Sequence, residues 1–355
     1  MATQLMASPQ AARIGRFKAR LLDHIIPQEV IGRCCKSQKE MVPMNVSDTV
    51  VFRRYIPSGT TTAAFNTWNI NPEDYQLSEG ETPQARTVLA VDVTCTLQQY
   101  GIVYRHSDRV SDMYEDDIPD QQVQFTGEGM GLLLEKVRYG VLKAGTNVFR
   151  AGGAATRALT NAKISGTAMQ NVARSLSANL AKKMTRILAP SQNVGTTSIE
   201  AAFIAVCHSD LESDWRALNG FTHISDYGTR EAMHENELGS YQQFRVVTSP
   251  HLNPYPAAGT TAAADTILTN GAKNTGGAGN ADIYPIIIMG EEAYGDVMLR
   301  GIGAIKPFHK KPGETSDSDP LGQRGHVGAK TYFTAARLNE FHMAVYEVAC
   351  SALVG

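Results

Sequence analysis

The stretch PDQQVQFTGEGMGLLLEKVRYGVLKA, residues 119–144, carries the strongest helical pattern in this chain of 355 residues. Pro119 suits a first helical turn, and Asp120 places an acid where the helix dipole favours negative charge. The sequence therefore predicts a helix about 37 Å long, at ~1.5 Å per residue, with the strand-rich segments arranged around it. Apolar residues at helical spacing predict its buried stripe: Val123, Met130, Leu134, Val137 and Val141.

Four glycines oppose this helix, and each costs about 1 kcal/mol relative to alanine in a helix interior. Two interpretations stay open: a weakened or kinked helix, or a helix whose glycines let another backbone approach closely. The glycines are Gly127, Gly129, Gly131 and Gly140.

Composition indicates an ordinary globular chain, long enough for two domains or one elaborated domain. The hydrophobic share is 43%, and the formal net charge of −2 excludes a strongly basic nucleic-acid binder. Among the five cysteines only Cys34 and Cys35 are close in sequence, which argues against a disulfide framework or a zinc site. Apolar runs such as residues 284–290 are far shorter than the ~20 residues of a membrane span.

The amino terminus is basic and amphipathic. Residues 1–20 contain no acid, which resembles a transit peptide in composition. Ile14, Phe17, Leu21 and Ile25 continue the helical spacing past any plausible cleavage point, so a short amphipathic arm is the preferred interpretation. Its basic residues are Arg13, Arg16, Lys18 and Arg20.

Two strands flank a long polar excursion. Residues 49–55 are rich in Val and Phe, and residues 87–97 alternate apolar and polar side chains. Residues 57–83 between them are rich in Thr, Asn, Ser, Gly and Pro, which is typical of a protruding loop. Because an extended hairpin cannot bury both faces by itself, we expect it to lie on another surface, such as a second subunit.

The second half predicts an α/β arrangement. A helix over residues 167–188 is expected to end before Pro190. Buried strands are predicted at residues 201–206, 244–247 and 283–289, and short helices at residues 210–218 and 291–299. Residues 257–282 are predicted to form a low-complexity surface loop, and residues 306–319 a polar segment. Residues 330–338 and 341–348 are predicted to pair as a terminal hairpin.

No catalytic, cofactor or metal site is predicted. The Gly-Glu-Gly-Met-Gly run at residues 127–131 lies inside a helical pattern, whereas a phosphate loop needs glycines between a strand and a helix. Cys207 and His208 are sequence neighbours, which gives no geometry for a nucleophile and its base. His223, His234 and the acidic residues 115–117 lack metal-ligand spacing.

Several segments in a fixed order resemble one known family. They are SDTVVFRRY (47–55), LSEGETP (77–83), QYG (99–101), AGTNV (144–148), HSDL (208–211), NELG (236–239), FRVV (244–247), YPII (284–287), DPLGQRG (319–325) and VGAKT (327–331). Together they resemble the major capsid proteins of tailed bacteriophages with the Hong Kong 97 fold, most closely the N-four-like podovirus branch.

The resemblance implies an α+β chain with the Hong Kong 97 architecture. Its parts would be an N-terminal arm (1–47), an extended loop (48–104), a peripheral domain holding the long helix (105–150 and 325–355) and an axial domain (151–324). It also implies self-assembly as hexamers and pentamers into an icosahedral shell around double-stranded DNA, bound without sequence specificity. Portal, scaffolding or decoration proteins would be further partners, with assembly in the host bacterial cytoplasm and no membrane or cofactor involved.

Charged residues at the predicted loop and helix are candidate intersubunit contacts under this resemblance, or else they are merely solvated. They are Arg53, Arg54, Glu79, Glu81, Glu135 and Arg138. The basic residues of the arm are candidates for an inward-facing position. Two alternatives stay open for the function: an encapsulin-like compartment shell, or an enzyme whose site the sequence does not reveal.

Overall fold

The computed structural model describes the greater part of the chain, and the structural statements below concern those residues. They are residues 30–34, 38–42, 47–56, 73, 76, 77, 79, 80, 82, 88–113, 118–184, 201–227, 232, 234–261, 266–269, 279–299, 306–315 and 319–353. The N-terminal arm up to residue 29 and most of the loop at residues 57–83 lie outside them.

The chain contains both helices and strands, so the fold is mixed. The α-helices are α1 Ile31–Cys34, α2 Asp108–Met113, α3 Ile118–Leu142, α4 Gly166–Ala178 and α5 Glu212–Arg216. The strands are β1 Gln38–Val42, β2 Thr49–Ile56, β3 Leu89–Thr96, β4 Gln98–Ser107, β5 Val148–Arg150, β6 Phe203–His208, β7 Phe221–His223, β8 Glu237–Tyr241, β9 Phe244–Ser249, β10 Ile283–Met289, β11 Tyr294–Leu299, β12 Lys306–Lys310, β13 Arg324–Arg337 and β14 Met343–Ala349.

A five-stranded sheet is built around the long strand β13. Along one edge β13 pairs with β4, from Phe333 opposite Gln98 to Arg324 opposite Ser107. Along the other edge it pairs first with β12 and then with β11, and β1 adds to β11 in parallel. Helix α3 packs on one face of this sheet, where Leu134 joins Phe333 in an apolar cluster.

A seven-stranded sheet forms the other half of the body, in the order β5-β14-β10-β6-β9-β8-β7. Its central strands are buried along their whole length, as expected where both faces of a sheet are covered. Helix α4 and Trp215 of α5 cover one face. The other face packs against Tyr139 and Leu142, so the end of α3 reaches from the first sheet to the second.

The predicted long helix is confirmed as α3, which runs without interruption through its glycines. Met130 and Leu134 are buried as predicted, and Val137 and Val141 are partly buried. The prediction that Val123 is buried is wrong, since its side chain is 48% exposed. The buried line instead advances in steps of four and is polar near its start and end: Gln122, Thr126, Met130, Leu134, Arg138 and Leu142.

The glycines of α3 have one close contact. A Cβ built on Gly129 would stand 2.9 Å from Ile102 Cδ1 of β4, while Gly127, Gly131 and Gly140 have nothing within 4 Å. The approach is therefore by a side chain of the sheet, at a single glycine.

The second predicted helix is ten residues too long. Helix α4 ends at Ala178, and Leu180 takes a left-handed backbone with φ 56°. The N–H of Ala181 donates to the carbonyl of Leu176, and that of Leu180 donates to Ser177, which is the Schellman ending. Leucine at a position that usually holds glycine hides this ending in the sequence.

Two other predictions are wrong. Residues 291–299 contain strand β11 rather than a helix, because β13 and β1 pair with both of its edges. The terminal hairpin does not form either, since β13 and β14 belong to different sheets. A 3-10 turn over Glu340–His342, capped by Asn339, carries the chain from one sheet to the other. The strands predicted at residues 201–206, 244–247 and 283–289 are confirmed as β6, β9 and β10.

Candidate functional site

Strands β2 and β3 form a separate two-stranded hairpin, which confirms the predicted pairing of these segments. Thr49 stands opposite Thr96 at its base, and Ile56 stands opposite Leu89 at its far end. Near the base Cys95 is 5% exposed and packs against Val297 of the five-stranded sheet. Val93 and Val91, further along the same face, are only partly buried. The opposite face is open from Val51, at 51% exposure, to Tyr55, at 68%. The hairpin is thus anchored by one face at its base, and its other face is open to solvent.

Arg53 is paired within its own hairpin. Its Nε and Nη2 donate to the two carboxylate oxygens of Asp92 at 2.7 and 2.8 Å, from directly opposite positions on the two strands. This hydrogen bond lowers the pKa of Asp92. The pair is solvent-exposed, so it aligns the strands without anchoring them to the body.

Arg54 lies on the other side of the hairpin, over a crevice of about 570 Å³. The crevice separates β3 from the chain segment that links β13 and β14, with Val93 and Asn339 among its lining residues. Burial lowers the pKa of Arg54. Burial, together with the charge of Arg54, also lowers the pKa of His342 near this crevice.

The burial of Glu135 and Arg138 does not agree with the prediction that they contact a neighbouring subunit. They are 1% and 2% exposed, inside their own chain. Glu135 Oε1 accepts a hydrogen bond of 2.8 Å from the N–H of Ile31. Arg138 Nε lies 3.1 Å from Asp296 Oδ2, its Nη1 lies 3.8 Å from Glu135 Oε2, and its guanidinium stands over the Phe333 ring.

This cluster joins α1, α3 and β11, which are far apart in sequence. A helical charge pair looks like a solvated surface feature when only its spacing is known. Asp296 supplies the opposite charge that makes burial of the arginine tolerable.

Two further buried ion-pair groups were missed by sequence reasoning. Glu347, fully buried on β14, pairs with Arg150 at 3.0 Å and with Arg157 at 2.5 Å. Glu237 pairs with Arg245 at 2.9 Å. A single carboxylate within the apolar run MAVYEVA was the available signal, because a buried charge requires partners.

The candidates for chemistry occupy structural positions. Cys207 is fully buried, which raises its pKa to about 12, so its thiol is a poor nucleophile. The Nδ1 atoms of His208, His223 and His234 each accept a hydrogen bond from a backbone N–H two residues further along the chain. Among the described residues no three His, Cys, Asp or Glu side chains are grouped as a metal site would require. No helix in that part of the chain is long and apolar enough to cross a membrane.

The remaining candidates are distributed as follows. Glu79 is exposed, and Gly80 next to it has a φ of 85°. Glu81 and the acidic residues 115–117 lie outside the described residues, as do the basic residues of the arm, Arg13, Arg16, Lys18 and Arg20.

Comparisons with known proteins agree with one another. A sequence model of the family described as "Phage capsid protein" matches residues 90–338. The major capsid protein of Pseudomonas phage KPP21 is 27% identical over 168 residues, which cover 44% of this chain and 41% of that protein. The chain thus matches less than half the length of that relative.

Solved structures give the same fold at low identity. The capsid of Ralstonia phage GP4 is similar with a TM-score of 0.65 and 10% identity, covering 98% of this chain and 97% of that one. The holo-SrpI encapsulin complex from Synechococcus elongatus PCC 7942 is similar with a TM-score of 0.53 and 11% identity, over 98% and 97% of the two chains. These likenesses show the fold alone. Because the family model covers well over half of the chain, this protein belongs to the phage capsid protein family, which is a family of structural proteins.

Proposed function

We propose that this chain is a major capsid protein whose hexamers and pentamers form the icosahedral shell around the double-stranded DNA of a tailed bacteriophage. The observation that carries the proposal is the β2–β3 hairpin. Val51, Tyr55 and Val88 on or beside it are 51%, 68% and 69% exposed. A two-stranded excursion with so little core is marginal in water, and a cluster of exposed apolar side chains is typical of a contact surface.

The proposal includes the Hong Kong 97 architecture, with an arm at residues 1–47 and an extended loop at residues 48–104. Residues 105–150 and 325–355 would form the peripheral domain, and residues 151–324 the axial domain. Strands β5 and β14 pair within the sheet that also contains β6 to β10, so the boundary between these domains would cross a continuous sheet.

The proposed partners are further copies of the chain, the packaged DNA, a portal, and scaffolding or decoration proteins. With a net charge of −2 the chain cannot neutralise many phosphates, so we expect contact with DNA without sequence recognition. The protein would be a virion component that assembles in the host bacterial cytoplasm. Family membership supports the structural part of this proposal and no catalytic one.

A protein shell that encloses cargo is the second candidate, and the likeness to an encapsulin favours it. Analysis of what copurifies with the particles separates the two functions. Genome-length DNA supports the capsid, whereas a stoichiometric cargo protein supports the compartment.

The proposal is tested by expressing the full chain and imaging the product by electron microscopy. We expect closed shells. Replacing residues 58–83 with a short Gly-Ser turn should leave a folded subunit by circular dichroism that sediments as small species. Deletion of residues 270–278, in the Ala/Gly-rich segment, serves as the control and should leave assembly intact. Normal particles from the loop variant would contradict the role given to the hairpin.

A further inference from the structure

Basic residues are concentrated in one part of this nearly neutral chain. Residues 136–199 contain ten of the 33 lysines and arginines and no aspartate or glutamate, although the net charge of the whole chain is −2. Residues 249–264, from a distant part of the sequence, contain no acid either. A surface built where these two segments meet therefore receives cations, and no acid, from both of them.

The two segments meet beside the carboxyl end of α3. Lys136 lies on an exposed face of this helix, and Lys143 continues the same face two turns later, where its N–H donates to the carbonyl of Tyr139. The Tyr139 hydroxyl donates to the carbonyl oxygen of Asn253 at 2.7 Å. The Lys143 ammonium lies 4.9 Å from the centroid of the Tyr255 ring. These contacts fix the second acid-free segment along this face of the helix.

Two arginines extend the basic surface onto the seven-stranded sheet. Arg157 lies over the same Tyr255 ring, with its Cζ 3.7 Å from the centroid. Arg150 and Arg157 share the carboxylate of Glu347, at 3.0 and 2.5 Å. Lys143, Arg150 and Arg157 thus surround one acid, and that acid is fully buried. Because the two arginine side chains keep 24% and 36% of their exposure, positive charge reaches the surface.

These groups belong to one face of the sheet. Glu347 follows Met343 and Val345 at alternate positions of β14, so the three side chains point the same way. Met343 and Val345 pack with Tyr139 and Leu142 of α3. Helix α4 covers the opposite face. The basic surface is therefore formed by the carboxyl end of α3 together with the elements packed beside it.

Neighbouring groups show the sign of the local field. The pKa of His251 is lowered by burial and by the charge of Lys136. Glu340 accepts a hydrogen bond from the N–H of Thr146 in the turn after α3, but Arg337 pairs with this carboxylate and offsets its charge. A surface of this kind attracts a polyanion.

Double-stranded DNA fits this surface better than an acidic protein does. Lysines are depleted at protein–protein interfaces, whereas protein–DNA interfaces are strongly positive. The cations are also held in place before any ligand binds, because Glu347 fixes the two arginines and the aromatic rings of Tyr139 and Tyr255 flank Lys143. Contacts to phosphate carry no sequence information, as a shell around a whole genome requires.

We propose that the surface formed by Lys136, Lys143, Arg150 and Arg157 binds the phosphate backbone of the double-stranded DNA that the shell encloses. The inference rests on the proposed shell-forming function and names the part of the subunit that faces the genome. It places DNA contact on the body of the subunit, independently of the basic residues of the arm.

Salt-dependent binding of the full-length subunit tests the surface. Fluorescence anisotropy of a labelled duplex of about 30 base pairs is measured at about 50 and 200 mM salt, a range over which phosphate contacts weaken strongly. Lys136→Gln with Lys143→Gln should reduce the ratio of the two affinities about tenfold, because each lost contact removes a slope of roughly 0.9 in log affinity against log salt. The arginines are left unchanged, since removing either would also leave Glu347 less well paired.

Lys163→Gln with Arg174→Gln is the matched control. Both residues are exposed cations of the same acid-free stretch, and they lie just before and within α4, away from the basic surface. This variant should keep the salt dependence of the wild type. Equal ratios for the two double variants would contradict the proposal.

Protection of lysines in intact particles gives a second measurement. An acetylating reagent is applied to particles filled with DNA and to emptied ones, and modified peptides are quantified by mass spectrometry. Lys136 should react several-fold more slowly in the filled particles, whereas Lys163 should react at the same rate in both. Equal rates at Lys136 in filled and emptied particles would overturn the proposal.

The outcomes separate this inference from the function on which it rests. A wild-type chain that forms no shells contradicts the proposed function itself. Shells that form normally, with no protection of Lys136 by DNA, contradict only the assignment of the surface. If the subunit binds polyglutamate but not the duplex, the surface binds an acidic protein and the proposal is wrong.

Discussion

The buried cluster of Arg138, Asp296 and Glu135 offers the sharpest test of the packing around α3. We expect Arg138→Met to destabilise the subunit strongly, because it leaves two carboxylates buried that are 0% and 1% exposed in the native chain. Removing one partner of a buried ion pair costs about 3–5 kcal/mol. That is a large part of the ~5–15 kcal/mol by which a protein domain is stable.

The free energy of unfolding can be measured by urea titration of the full-length subunit, followed by circular dichroism. Arg53→Met is the control, since it breaks an ion pair of better geometry that is exposed to solvent. The triple variant Glu135→Gln, Arg138→Met and Asp296→Asn removes the charges together and should recover most of the lost stability. The amide oxygen that Glu135→Gln introduces can still accept the hydrogen bond from the N–H of Ile31. If Arg138→Met changes stability no more than Arg53→Met does, the reasoning about the cluster is wrong.

The smaller predictions concern three single residues. Leu180→Gly should raise the free energy of unfolding by roughly 1 kcal/mol, because a left-handed backbone strains leucine. The control Leu159→Gly, at the same 58% exposure and without positive φ, should lower the free energy of unfolding, and urea midpoints that fall in both variants would contradict the prediction. Cys207 should resist iodoacetamide at pH 8 in the folded chain, because a pKa of about 12 leaves roughly a thousandfold less thiolate than in a free cysteine. Peptide mass spectrometry that finds Cys207 labelled as fast in the folded chain as in urea would refute this prediction. Burial and the charge of Arg54 lower the pKa of His342 in the folded chain, so the unfolded chain takes up the proton first and stability falls as the pH drops below the ordinary histidine pKa. His342→Asn should reduce the difference between the urea midpoints at pH 7 and pH 5, and an unchanged difference would contradict this prediction.

The sequence predicted α3 well in extent and poorly in orientation, for one physical reason. Apolar periodicity registers only apolar side chains, and it found Met130 and Leu134 at the middle of the buried line. The line continues in steps of four through Thr126 and Arg138, which are polar and buried because each has a partner in the fold. Apolar periodicity therefore points to Val123 and passes over Gln122, whose amide oxygen lies 3.0 Å from His106 Nδ1.

Elements whose form depends on distant partners were harder to predict. Strand β11 has a short sequence that suits a helix equally well, and its pairing with β13 decides the outcome. The strand predicted at residues 330–338 was correct as a strand but was given the wrong partner. Its neighbours β4, β11 and β12 come from three separate parts of the chain, which local turn signals cannot identify.

The candidate site was predicted only in part, because some of its contacts join segments that are far apart in sequence. The two strands of the hairpin follow from alternation and composition, and the pairing of Arg53 with Asp92 could have been found from the register of residues 49–56 against 89–96. The partner of Arg138 could not be found in this way. Asp296 lies 158 residues further along the chain, on β11, and meets Arg138 only after the fold has formed.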